Sequence, residues 1–300
     1  MLGKILKYEL KASARIFLLM YAALLVLAAI NAVIGILGEG HRFDLSTLGP
    51  TIYSIASGIT MAMYFLAAAA VIVITTVIIV LRFYRMLGNE GYLWFTLPVT
   101  ANQHILGKLI PALVWSLASC VVILISFCLL TVSEGLGEMI RTISEGWGYL
   151  VSQGFNPGLW VAWFVAYLLV AVIYGILMFY AAMAVGPNII KSRLGGSVLA
   201  YLILYVIVQV LSTLILMALA MPLTEQALVI AQAFDPGTMT QLEAATEISD
   251  LSLIDISSTS AAIDRIVLVF LGVFSALSVV LAVAFYIVTR HCLTRKLNLA

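Results

Sequence analysis

Residues 53–81 read YSIASGITMAMYFLAAAAVIVITTVIIVL, without one charged side chain. About 20 apolar residues suffice for a helix to cross the hydrocarbon core of a bilayer. This stretch is longer than that, and longer than any strand. In hydrocarbon every backbone N–H and C=O must find a partner, and one segment can do this alone only as an α-helix. The stretch is therefore read as a transmembrane helix, and it sets the terms for the rest of the chain.

Working outward, charges punctuate the sequence into similar runs. None occurs between Arg15 and Glu39, Asp44 and Arg82, Lys108 and Glu134, Glu145 and Lys191, Arg193 and Glu225, or Arg265 and Arg290. Each gap exceeds the length a crossing needs. Spans are placed near 16–37, 53–81, 109–132, 159–186, 197–221 and 266–289 of a single transmembrane domain covering 1–300. The bulk composition agrees. Of 300 residues 64% are hydrophobic and 10% charged, against about 25% charged in a soluble domain, and mean hydropathy is +1.16. One soluble core cannot absorb that much apolar surface, so the surplus must face lipid. The net charge of +1 provides no field to gather nucleic acid.

Lys and Arg fix the orientation. With the N-terminus inside, 12 of the 15 basic residues fall in inner segments, leaving only Arg42, Arg141 and Arg265 outside. The acids run the other way, with only Glu9 and Glu90 inside. A wrong span count would scramble this partition. The expected fold is thus all-α, polytopic, with six spans and both termini cytoplasmic.

Basic residues followed by an apolar run, with AINA at 29–32, resemble a secretory signal. The run from Ile16 to Leu37 is longer than the roughly 7–15 residues of a signal core, so it is read as a retained span. Ahead of it, Leu2, Ile5, Leu6, Leu10 and Ala14 recur at helical spacing, while Lys4, Lys7, Lys11 and Arg15 form another face. That pattern predicts an N-terminal interfacial helix over 1–15, its bases near anionic lipid headgroups; the same charges also set topology.

Chemistry-bearing patterns are sparse. Cys120 and Cys128 are about 12 Å apart along a helix, too far for a disulfide, and neither they nor Cys292 sit at metal-ligand spacing. There is no GxxxxGK[ST], GxSxG or HExxH, so the phosphate cradle of an ATP site is missing from this sequence. Stand-alone catalysis, a bound cofactor and a metal are not expected. Within the predicted spans there is no Asp, Glu, Lys, Arg or His, which disfavours ion-coupled transport. The notable polar residues there are Asn31 and Gln209, read either as interhelical hydrogen-bonding groups or as pathway contacts.

The segment between spans two and three, RFYRMLGNEGYLWFTLPVTANQHILGK at 82–108, is oddly apolar for a cytoplasmic loop. Tyr92, Leu93, Trp94, Phe95, Leu97 and Val99 would form an uncovered patch, the mark of an interface. Pro98 breaks a helix, and Thr100 can cap a new one running into the third span. The segment 186–197, GPNIIKSRLGGS, joins spans four and five: Pro187 ends one helix and Gly195–Gly196 permit a sharp turn into the next. The outer segment 223–264 carries seven acids and no base; Thr240 and Glu243 have capping-box spacing. It is read as a solvated face, with attraction of cationic peptides as the alternative.

NEGYLWFTLPVTANQHILGKLI at 89–110 resembles the signature of the ABC type-2 export permeases, matching at Glu90, Gly91, Leu97, Pro98, Val99, Thr100, Lys108 and Leu109. The layout of the whole chain fits that family; the residue-level match covers about 20 positions, and Trp94 and Phe95 are bulkier than its pattern. The resemblance implies a coupling helix between spans two and three that docks on a separate ABC ATPase subunit through Glu90, Gly91, Tyr92, Leu93, Trp94, Phe95, Leu97 and Pro98. It implies ATP and Mg bound by that partner, a second permease chain (identical or related), and a bacterial plasma membrane. Two alternatives stay open: a non-transporting membrane sensor or scaffold for antimicrobial peptides, and an ion-coupled carrier.

Overall fold

The computed structural model describes residues 2–39, 49–87, 100–131, 135–190, 192–233 and 256–295. Among these there is no strand. The helices are α1 (Leu2–Glu39), α2 (Gly49–Leu87), α3 (Ala101–Leu130), α4 (Leu136–Ser152), α5 (Pro157–Val185), α6 (Arg193–Ala233) and α7 (Ile256–Arg295), with a 3-10 turn at Gly186–Asn188 between α5 and α6. Six of them are long and apolar enough to cross a membrane: Gly3–Ile36, Tyr53–Leu87, Ala101–Leu130, Pro157–Asn188, Arg193–Leu219 and Ile263–Thr294. Each coincides with one of the six runs expected from charge spacing, and most extend beyond it.

The N-terminal segment differs from expectation. Residues 2–15 are not set off from the first span; α1 is one unbroken helix from Leu2 to Glu39. The reason is local: no Gly or Pro occurs between Lys4 and Ile34 to interrupt it. Ser13 Oγ donates to the Glu9 carbonyl at 2.6 Å, a bond made within the helix that leaves its path intact.

Packing divides into two groups. α1 lies against α3 and α2, and α5 lies against α7 and α6. The first group shares a core of Phe17, Tyr21, Leu24, Ala28, Tyr64, Val71 and Leu130. The second core joins the groups, with Ile79, Phe83 and Met86 of α2, Leu109 of α3, Tyr180 and Met183 of α5 and Phe285 of α7. Phe83 and Tyr180 stack with ring centroids 3.8 Å apart. Lipid tails are as apolar as Leu, so apolar burial alone does not hold such helices together; close packing and interhelical hydrogen bonds must. These bonds are present. Tyr21 Oη lies 2.8 Å from Ser119 Oγ, which lies 2.9 Å from Thr75 Oγ1, tying α1, α2 and α3 together. Tyr64 Oη lies 2.9 Å from Ser126 Oγ.

The turn between α5 and α6 is the tightest joint. The backbones of Gly186 and Gly196 meet so closely that a Cβ on Gly186 would sit 2.6 Å from Ser197 Cα. The Gly195–Gly196 pair thus serves close helix approach at Gly196 as well as a sharp turn.

Candidate functional site

At the Lys/Arg-rich ends of α1, α2 and α3, one carboxylate holds two cations. Glu9 Oε2 accepts from Arg82 Nη1 at 2.9 Å, and Glu9 Oε1 accepts from Lys108 Nζ at 2.5 Å. Arg82 Nη1 also donates to the Glu9 carbonyl at 3.0 Å. The cluster is largely withdrawn from solvent: side-chain exposure is 12% for Glu9, 9% for Lys108 and 25% for Arg82.

Each helix delivers its residue for a local reason. Glu9 lies one turn before Ser13, whose hydroxyl accepts from Trp115 Nε1 at 3.0 Å. The Trp115 ring stacks on Phe17 with centroids 4.5 Å apart. That contact sets the register of α1 against α3, and hence of Glu9 against Lys108. Arg82 is placed by Phe83, fully buried and stacked on Tyr180. Lys108 is placed by the start of α3: Thr100 is its N-cap, as expected from sequence, with Gln103 Oε1 accepting from the Thr100 N–H at 3.2 Å. Three residues beyond Lys108, Pro111 sits inside α3 and removes the bond that its N–H would make to the Gly107 carbonyl. A cavity of about 20 Å³, room for one water, adjoins the cluster and is lined by Glu9, Arg82, Lys108, Pro111 and Trp115 among others.

Buried charge is tolerable only when paired and hydrogen-bonded. A single acid shared by two bases satisfies this while leaving the cluster one positive charge in excess. Each ion pair crosses a helix boundary, so the arrangement acts mechanically: it fastens three helix ends to one another. Among the described residues no three of His, Cys, Asp and Glu come together in a way that would hold a metal.

Arg82 and Lys108 flank residues 88–99. The expected coupling residues Glu90, Gly91, Tyr92, Leu93, Trp94, Phe95, Leu97 and Pro98 lie outside the described residues, as do Thr240 and Glu243. Of the two polar span residues, Asn31 donates from Nδ2 to the Thr60 carbonyl at 3.1 Å and to the Leu27 carbonyl at 3.0 Å. Its amide is committed to the α1–α2 contact, in line with the interhelical reading. Gln209 is exposed on α6. The expectation of spans free of ionisable groups holds for the narrower sequence-based boundaries but not for the full helices. Lys108 is buried within α3, and Asp264, expected in the solvated outer segment, is buried near the start of α7, 3.4 Å from Asn156 Nδ2.

The chain matches no family model, no curated protein and no solved structure.

The sequence alone places Glu9 as one of two inner acids and assigns it no role. The signal is nevertheless present: a lone acid among four bases in a segment otherwise stripped of acids.

Proposed function

We propose that this chain is the membrane-spanning permease subunit of an ATP-driven ABC exporter of the bacterial plasma membrane. Two such chains form the pathway, and separate ATPase subunits bind ATP and Mg below them. The observation that carries this reading is the ionic cluster. Arg82 and Lys108, on the two flanks of the segment that resembles a coupling helix, are both fastened to Glu9 of α1. A pull on the segment around Glu90–Pro98 therefore enters α1, α2 and α3 together instead of bending one helix end. Six apolar helices and the family-like stretch 89–110 support the same reading. The sequence has no phosphate-binding loop of its own, so ATP hydrolysis falls to the partner.

The test is co-purification with an ABC ATPase from the cells that make this chain, followed by export assays in vesicles. Gly91→Glu or Leu93→Glu releases the ATPase. Glu9→Gln leaves the ATPase bound but lowers export, because the docked motor no longer grips all three helices. Retained ATPase binding with full export in the Gly91 and Leu93 variants overturns the proposal.

A further inference from the structure

Helix α4 has a physical problem that the described residues do not solve. It runs for 17 residues with none of them buried, and it contains Gly137, Gly146 and Gly148. An isolated helix of this length is marginal in water even when rich in Ala, and interior glycines weaken it further. Yet both its ends are cleanly built. Gly135, with φ of 88°, starts it. At the other end Gly154, with φ of 84°, takes the left-handed position that follows a helix. The Phe155 N–H reaches the Leu150 carbonyl at 3.0 Å and the Gly154 N–H reaches the Val151 carbonyl at 3.0 Å, which is the Schellman pairing.

The missing surface is legible in the pattern. Met139, Ile140, Ile143, Trp147, Leu150 and Val151 fall within an arc of about 120° at 100° per residue. Ile140, Ile143, Trp147 and Val151 are 43–59% exposed. The opposite face holds Glu138, Ser152 and the ion pair of Arg141 with Glu145 at 3.2 Å, both about two-thirds exposed. Position supplies the rest. From Lys108 in the ionic cluster to Leu130, α3 rises about 33 Å, roughly the thickness of the hydrocarbon core. Helix α4 follows that far end. Only four residues separate it from α5, whose lipid-facing side chains begin at once with Leu159, Val161 and Trp163. Trp147 is seated against the first turn of α5: a Cβ on Gly158 would lie 3.7 Å from its Cζ2. Phe155 and Trp160 meet edge to face nearby, at the level where aromatic residues mark the membrane boundary.

We propose that α4 lies flat on the bilayer, on the face opposite the ionic cluster, with the Ile140–Ile143–Trp147–Val151 stripe sunk into the headgroup–acyl boundary. The occupant of its apolar face is lipid rather than protein. The stripe adjoins the lipid-facing start of α5 through Trp147 and carries no charged group; its one polar atom, the Trp147 indole N–H, suits the headgroup level. The outward face has acid and base already paired. The helix is thereby a float hinged at Gly154, holding the entry of α5 at a fixed depth. This reading is independent of the exporter assignment.

The full chain is reconstituted in phospholipid vesicles with Cys120, Cys128 and Cys292 replaced by Ser. Single Cys residues at 140, 141, 143, 144, 145, 147, 148 and 150 then carry a nitroxide. Collision with oxygen, which concentrates in lipid, is expected to peak at 140, 143, 147 and 150. Collision with a water-soluble nickel chelate is expected to peak at 141, 145 and 148, each several-fold above the opposite face. Equal nickel access on both faces overturns the proposal. So does an apolar face shielded from both reagents, which would mean that protein covers it. Labels at Ser144 and Gly148 alone, outside the apolar stripe, keep the test valid should labels on the stripe disturb the helix: nickel access at Gly148 must still exceed that of a label in span α2.

Discussion

At the residue scale, Glu9 carries more than its position near the chain's start suggests. Lys108 is 9% exposed and has an unbranched apolar stem that pairs with its burial, but its ammonium needs an anion. Removing the partner of a buried charge costs about 3–5 kcal/mol. Glu9→Gln is therefore expected to lower thermal stability in detergent by several degrees, read by intrinsic fluorescence, while Glu9→Asp retains part of it. Arg82 is a quarter exposed, so Arg82→Gln is expected to cost about 1 kcal/mol or less once solvent screening is counted. In the double variant Glu9→Gln/Lys108→Met the loss shrinks below that of Glu9→Gln alone, because no buried cation is left stranded. If the double variant proves the less stable of the two, the pairing described here is wrong. Composition and charge spacing could not reveal this site. They weigh residues by position along the chain, whereas Glu9, Arg82 and Lys108 are brought together from three separate helices by the Trp115–Phe17 stack and the burial of Phe83. Neither of those follows from periodicity.

At the element scale, the six spans were legible because hydrocarbon imposes one rule on every segment: apolar, uncharged, about 20 residues or more. Tyr53–Leu81 announces itself for that reason. The ends of the helices were less legible. α1 continues back through Lys11 and Lys7, and α6 on through Pro222 to Ala233, because a charge stops a membrane core but does not stop a helix. α4 was missed altogether: three glycines in 17 residues argue against a helix by propensity, and only the apolar stripe argues for one. The turn between α5 and α6 was anticipated from Pro187 and the glycine pair, but its closeness was not. Gly196→Ala places a methyl on the Gly186 carbonyl. It is expected to destabilise the protein by more than the roughly 1 kcal/mol that a glycine-to-alanine change ordinarily gains in a helix, with the sign reversed. Gly272→Ala, with nothing within 4 Å of its Cβ, is the control, expected to be neutral or slightly stabilising. Thermal unfolding of the two variants side by side checks this; equal midpoints would remove the Gly186–Gly196 contact from the account.

At the scale of the whole molecule, the distribution of Lys and Arg predicts which ends share a side. With inner segments at the starts of α1, α3 and α6 and the ends of α2, α5 and α7, a Cys at Lys7 or Arg193 is expected to react with a membrane-impermeant maleimide only after the cell is opened. A Cys at Gly137 or Arg265 is expected to react in intact cells. Any reversal between these pairs breaks the alternation and with it the span count. The two helix groups also divide the labour. α1, α2 and α3 are stitched by Tyr21, Ser119, Thr75 and the ionic cluster, and among the described residues α5 and α7 make the most extensive helix pair. Among the described residues the two groups meet at the apolar contact around Phe83, Tyr180 and Met86.

The fifth crossing is built like a cantilever. It is clamped at its root, where Gly186 meets Gly196 and where Phe179 stacks on Tyr201 with centroids 4.7 Å apart. None of its most apolar window is buried. A beam held at its root and braced beyond it only by partly buried Leu204 and Val208 concentrates any bending moment near the clamp, so a small tilt there becomes a wide sweep at the tip.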